Sequence, residues 1–71
     1  HISGVSALTE ENAAVVAHIF AVAAKLAKEA GLDKGFRIVT NCGDDAGQTV
    51  HHLHFHLLGG KQMGWSAESG V

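Results

Sequence analysis

The stretch His51-His52-Leu53-His54-Phe55-His56-Leu57-Leu58 decides the reading of this chain, since it gathers four of the six histidines into one short run. In an extended strand successive side chains project to opposite faces. His52, His54 and His56 then share one face, Leu53, Phe55 and Leu57 share the other, and His51 falls on the apolar side. Same-face neighbours stand about 7 Å apart. Imidazole is the side chain best suited to act near neutral pH as a nucleophile, a base or a metal ligand. A strand with an oily back and three imidazoles in front is therefore the candidate reactive element.

Upstream, Thr9 precedes Glu10-Glu11-Asn12, a residue suited to capping followed by acids in a first turn, where they complement the helix dipole. The spacing predicts a helix over about 10–30. Val16, Ile19, Phe20, Ala23, Leu26, Ala27 and Ala30 recur at helical steps as one apolar stripe, and Gly31 supplies the stop. Lys25, Lys28 and Glu29 fall on the far side. His18 lies in this helix with no reactive residue three or four positions away, so it reads as a surface histidine.

Leu32-Asp33-Lys34-Gly35 reads as a turn, and Phe36-Arg37-Ile38-Val39-Thr40-Asn41 alternates as a strand over about 36–41. A Gly/Asp-rich connection, Cys42 to Gln48, leads to the histidine strand at about 50–58, and Gly59-Gly60 breaks it before a tail over 59–71. One helix and two strands define an α+β arrangement, a long helix packed on an antiparallel sheet. An isolated hairpin is marginal in water and leaves its edges open. Further strands from a missing N-terminal segment, a second copy of the chain, or both are expected to complete it.

With 71 residues, 46% hydrophobic composition and a net charge of −2, the chain is a single small domain without a basic footprint for nucleic acid. No apolar run approaches membrane-spanning length, and no secretory leader is visible. The single cysteine, Cys42, excludes an internal disulfide framework and suits a reducing, cytoplasmic setting. Cys42 itself reads as a loop or packing residue, Asp44 and Asp45 as turn residues, and Met63 and Trp65 as packing or subunit contacts. The chain opens at His1 without an initiator Met, as expected of the C-terminal part of a longer protein.

The run His52-Leu53-His54-Phe55-His56-Leu57-Leu58 resembles the signature of the histidine triad (HIT) family. Gly35-Phe36-Arg37 with Val39 and Asn41, then Gly47-Gln48-Thr49-Val50, then Leu58-Gly59-Gly60-Lys61-Gln62-Met63 and Trp65, resemble its histidine triad nucleotide-binding (Hint) branch. His1-Ile2-Ser3 is similar to the segment that follows the third strand in that branch. The branch commonly has an aromatic residue where His51 stands, a histidine at Gly64 and prolines after the tryptophan. The resemblance implies that residues 1–71 are the C-terminal two thirds of a single HIT domain, assembled as a homodimer.

It further implies a nucleotide-binding hydrolase that cleaves purine nucleoside 5′-phosphoramidates or acyl-adenylates. His54 would be the nucleophile, transiently nucleotidylated on the way to a purine nucleoside monophosphate. His56 would donate to the phosphate or leaving group, His52 would orient its neighbours, and His1 would reach in from the helix-side segment. In the family a backbone carbonyl holds the other ring nitrogen of the nucleophile. Asn41, Gly47, Gln48 and Thr49, with His54 and His56, match nucleotide- and phosphate-binding positions. No cofactor is required by this chemistry.

Two other readings stand beside it. The same triad suits a non-catalytic nucleotide-binding or scaffold protein. Alternating histidines on one face also suit zinc, because two of them reach one tetrahedral ion. Asp44 and Asp45 lie in a separate loop and complete no two-metal ligand set. Some similar members bind structural zinc through an N-terminal Cys-x-x-Cys pair and residues matching His1 and His52.

Overall fold

A 16-residue helix, α1 (Ala14–Glu29), is packed beside an antiparallel hairpin formed by β1 (Phe36–Val39) and β2 (His56–Gly59). The computed structural model describes residues 1–64, so Trp65 and the rest of the expected tail lie outside the described residues. Short 3-10 turns occur at Val5–Ala7, in the segment before α1, and at Asp44–Ala46, in the connection between β1 and β2. The architecture is α+β, as the alternation and the helical stripe predict.

The helix begins later than Glu10. Residues 10–13 form turns, and the first bonds are of the tight i to i+3 kind, from Val15 N to Asn12 O at 3.1 Å and from Val16 N to Ala13 O at 3.0 Å. Thr9 does not cap the helix: the N-cap position is Ala13, with no side-chain cap bond. Asn12 Oδ1 instead accepts from the Thr9 backbone N–H at 2.7 Å, closing the turn before the helix. At the other end the expectation holds in detail. Leu32 N–H donates to Ala27 O at 2.9 Å and Gly31 N–H to Lys28 O at 3.2 Å, the paired bonds of a Schellman stop. That stop requires a left-handed residue, and Gly31 has φ 74°.

Of the predicted stripe, Ala27 is buried while Val16, Ile19 and Ala23 are half-buried. Phe20, Leu26, Val15 and Val22 remain 40–50% exposed, although Val22 and Leu26 line a cleft toward Ile38, Phe55 and Leu57 of the hairpin. Buried apolar side chains among the described residues are few, Ala27 from the helix and Leu53 from the histidine run. Their contact side is extended by Phe20 and Phe55, whose rings meet edge to face with centroids 5.9 Å apart.

Both strands are shorter than predicted. The register pairs Phe36 with Gly59, Arg37 with Leu58, Ile38 with Leu57 and Val39 with His56, and there the ladder ends. The expected strands at 36–41 and 50–58 therefore lose Thr40 and Asn41 from one side and residues 50–55 from the other. A bend at 50–52, with His52 N–H donating to Val50 O at 2.8 Å, turns the chain out of line. Leu53 N–H then donates to Ile2 O at 2.6 Å, so the N-terminal segment, and not β1, holds this part of the run. The bend also removes His51 from the apolar side, where alternation places it, and leaves it exposed. Among the described residues no helix is long and apolar enough to cross a membrane.

Candidate functional site

The histidine run enters the sheet only at His56, yet its alternation survives upstream. Leu53 is buried and Phe55 turns toward Phe20 of α1, which leaves His54 to project from the opposite side. The His54 and His56 rings meet edge to face with centroids 5.2 Å apart. His52 is drawn elsewhere, its ring lying 4.7 Å from that of His1. Ring contacts among these four histidines thus form two pairs, His54 with His56 and His1 with His52.

What joins the pairs is main chain. His54 Nδ1 lies 2.7 Å from the carbonyl oxygen of His52. A carbonyl oxygen can only accept, so Nδ1 carries the proton in this contact and the neutral ring keeps its lone pair on Nε2. The carbonyl of His54 is held in turn by the Thr40 hydroxyl, which donates to it at 2.8 Å. His54 is half-buried, whereas His1, His52 and His56 are exposed.

The His1 and His52 Nδ1 atoms approach to 2.9 Å, a distance that needs one ring to donate and the other to accept. The same two nitrogens suit two positions of a tetrahedral zinc site, in which histidine nitrogens bind at about 2.0–2.1 Å. Among the described residues, however, no group of three or more His, Cys, Asp or Glu could hold a metal. This pair alone does not make a zinc centre. A cavity of about 330 Å³ opens beside it, lined by Ile2, Leu53 and the helix residues Val15 and Ile19.

The residues matched to phosphate binding divide. Asn41 is half-buried and Thr49 exposed. Gly47 stands in the left-handed region at φ 78°, closing the 3-10 turn with its N–H on Asp44 O at 2.9 Å. Gln48 behaves differently, being buried with its amide committed within the chain. Its Nε2 donates to Ser3 O at 2.7 Å and Val50 O at 3.1 Å, while its Oε1 accepts from Gly43 N–H at 2.8 Å. With both amide protons and the oxygen engaged, Gln48 fastens the N-terminal segment to the loop before the histidine run. Nothing in the sequence marked Gln48 as a fastener, since its burial and its three partners are set by the tertiary fold.

Thr40 and Ile2 carried no catalytic signal in the sequence. Both act through hydrogen bonds to or from the main chain of the histidine run, and these depend on where the ladder stops. Cys42 is a free, half-buried thiol whose Sγ lies 3.4 Å from Ser6 Oγ. The Ser6 side chain, aided by the backbone amides of Ser6 and Val5, lowers its pKa below that of an ordinary cysteine, against a small opposing effect of burial. Arg37 donates to the Gly64 carbonyl, tying β1 to the end of the described chain.

A helix-backed hairpin leading into alternating histidines, with one ring fixed by a main-chain carbonyl, defines a protein of the histidine triad class. The HIT domain family matches residues 1–63, and the chain belongs to that family. A solved HIT family hydrolase from Clostridium thermocellum superposes with a TM-score of 0.89 at 48% identity, covering 94% of this chain and 59% of that one. A HIT family hydrolase from Legionella pneumophila superposes with a TM-score of 0.87 at 41% identity, covering 92% of this chain and 59% of its own. Among curated relatives, a 14 kDa zinc-binding protein of Zea mays is 39% identical over 64 residues, 90% of this chain and 50% of the relative. An uncharacterized HIT-like protein of Rickettsia prowazekii is 51% identical over 49 residues, 68% of this chain and 41% of the relative. The chain thus spans about half the length of the curated relatives it matches.

Proposed function

We propose that this protein is a nucleotide-binding hydrolase of the Hint branch, cleaving purine nucleoside 5′-phosphoramidates or acyl-adenylates through a nucleotidyl-histidine at His54. The observation that carries the reading is the 2.7 Å contact from His54 Nδ1 to the His52 carbonyl. It leaves Nε2 with a lone pair, as a nucleophile requires. Attack of Nε2 on the α-phosphorus forms a P–N bond and breaks the P–N bond to the leaving amine of a phosphoramidate, or the P–O bond to the leaving carboxylate of an acyl-adenylate. His56, whose ring adjoins that of His54, supplies the proton that a leaving amine takes. Water then attacks the same phosphorus, the P–Nε2 bond breaks, and the nucleoside monophosphate departs.

Dividing one displacement into two lowers the barrier of each. Asn41 and Thr49 offer neutral donors to the phosphoryl oxygens, and the backbone at Gly47 offers close approach. Such preplaced donors contribute about 2.7–4 kcal/mol each when removed from an oxyanion-type site. His52 orients through its carbonyl, and His1 supports the His52 ring. The partly exposed apolar side chains of α1, Val15, Val22 and Leu26, support a homodimer as the working unit. The single free cysteine supports a cytoplasmic setting.

The test is to trap a labelled adduct from adenosine 5′-phosphoramidate on the whole protein and map it. Label on His54, lost in His54→Ala while adenosine monophosphate still binds, is the expected result. Turnover undiminished in His54→Ala overturns the assignment, and nucleotide binding without any adduct favours a scaffold. A second reading is favoured by the His1–His52 contact and the relatives named as zinc-binding proteins. In that reading zinc is structural, the two imidazoles furnish part of its ligand set, and elemental analysis of the purified whole protein decides it.

A further inference from the structure

The hydrogen-bond ladder between the strands stops at Val39 and His56, one step short of the residues that matter most for the proposed chemistry. Continuing that register would set Thr40 opposite Phe55 and Asn41 opposite His54. No such pairing forms, and residues 53–55 run without ladder bonds to β1. One bond crosses the gap nonetheless. The Thr40 hydroxyl donates to the carbonyl oxygen of His54 at 2.8 Å.

We propose that Thr40 is a positioning residue for His54. This role rests on the reading of His54 as the nucleophile. His54 is then held at two points, its ring through Nδ1 to the His52 carbonyl and its own main chain through the hydroxyl of Thr40. The first bond selects the tautomer and fixes the ring relative to the preceding residues. The second fixes the peptide that bears the ring relative to the sheet, where a lapsed ladder would leave it free to rotate. A nucleophile must be oriented as well as deprotonated at the attacking atom, and a displacement of about 1 Å can slow a reaction about 100-fold. A side-chain hydroxyl does here what a backbone N–H does elsewhere in the hairpin. The Thr40 hydroxyl is spent on the His54 carbonyl, so its effect lies on the rate of attack and not on binding.

The experiment compares the whole protein with Thr40→Val, which keeps shape and strand preference and removes the donor, and with Thr40→Ser, which keeps the donor. Rapid quenching with adenosine 5′-phosphoramidate follows the His54 adduct. Thr40→Val is expected to form it about 3- to 10-fold more slowly, with KM within about twofold, and Thr40→Ser to restore the rate. The ring is followed separately by the Nδ1–H resonance of His54, expected to exchange with water several-fold faster in Thr40→Val. An unchanged adduct rate in Thr40→Val overturns the role, including the case where only its melting temperature falls. Should the unaltered protein form no adduct, the nucleotidylation reading fails by itself. The Nδ1–H exchange then decides Thr40, and equal exchange in the two proteins removes it.

Discussion

The side-chain amide of Gln48 donates to the main-chain carbonyl of Ser3 at 2.7 Å, a bond between residues 45 positions apart. It holds the segment carrying His1 and Ile2 against the loop that precedes the histidine run. Because Ile2 in turn accepts the Leu53 N–H at 2.6 Å, one amide helps place both ends of the candidate site.

Gln48→Ala should therefore destabilise the fold. It strands the Gly43 N–H and the Ser3 and Val50 carbonyls, and each lost bond of this kind costs about 1 kcal/mol. A combined cost of about 2–3 kcal/mol corresponds to roughly 10 °C or more in a domain of this size. Thermal unfolding at fixed protein concentration measures it. Gln48→Glu should fare no better near neutral pH, since a carboxylate has no proton to give to the two carbonyls. An unchanged melting temperature in both variants would discard the fastening role.

The contact between His54 Nδ1 and the His52 carbonyl separates the main chain of His52 from its side chain. His52→Ala keeps the carbonyl and loses only the ring contact with His1, so turnover is expected to fall about fivefold, the equivalent of one hydrogen bond. His54→Ala removes the attacking atom and should lower kcat by roughly 10³-fold or more. Steady-state rates on adenosine 5′-phosphoramidate compare the two. Equal losses would mean that the His52 ring takes part in the chemistry directly.

Cys42 should react at lower pH than an ordinary thiol. The Ser6 hydroxyl beside Sγ stabilises the thiolate, which persists as the pH falls, and the backbone amides of Ser6 and Val5 add to the effect. Ser6→Ala is expected to move the midpoint of iodoacetamide alkylation upward. A midpoint that stays in place would show that Ser6 does not govern the thiol.

Phe55→Ala should loosen the back of the histidine run. Phe55 is half-buried and meets Phe20 edge to face, so its loss should cost about 2–3 kcal/mol, short of the 3–5 of a fully buried ring. Phe20 is 47% exposed in the described chain, so Phe20→Ala should cost less. Chemical denaturation of the two variants tests the order. The reverse ranking would mean that Phe20 is covered in the assembled protein.

Much of this was legible along the chain. The period of the apolar residues announced α1, Gly31 announced its stop, and period-2 alternation put Leu53 and Phe55 behind the histidines. These are local properties, set by how side chains recur on a helix or a strand. The start of α1 was less legible. Thr9 is a capable cap, and whether it serves as one depends on the path of the chain before the helix.

The sequence by itself determined which residues the site has available, since the four histidines and their spacing are written in the run itself. Only the tertiary structure decided which imidazole is fixed, which partner His52 takes, and that Gln48 fastens the chain to itself. The physical reason is that a strand's pattern survives wherever the chain is extended, whereas a hydrogen bond needs two groups within about 3 Å of each other. Where the ladder ends after Val39 and His56, those meetings are made by the Thr40 hydroxyl and the Ile2 carbonyl, residues remote in sequence from the histidine run.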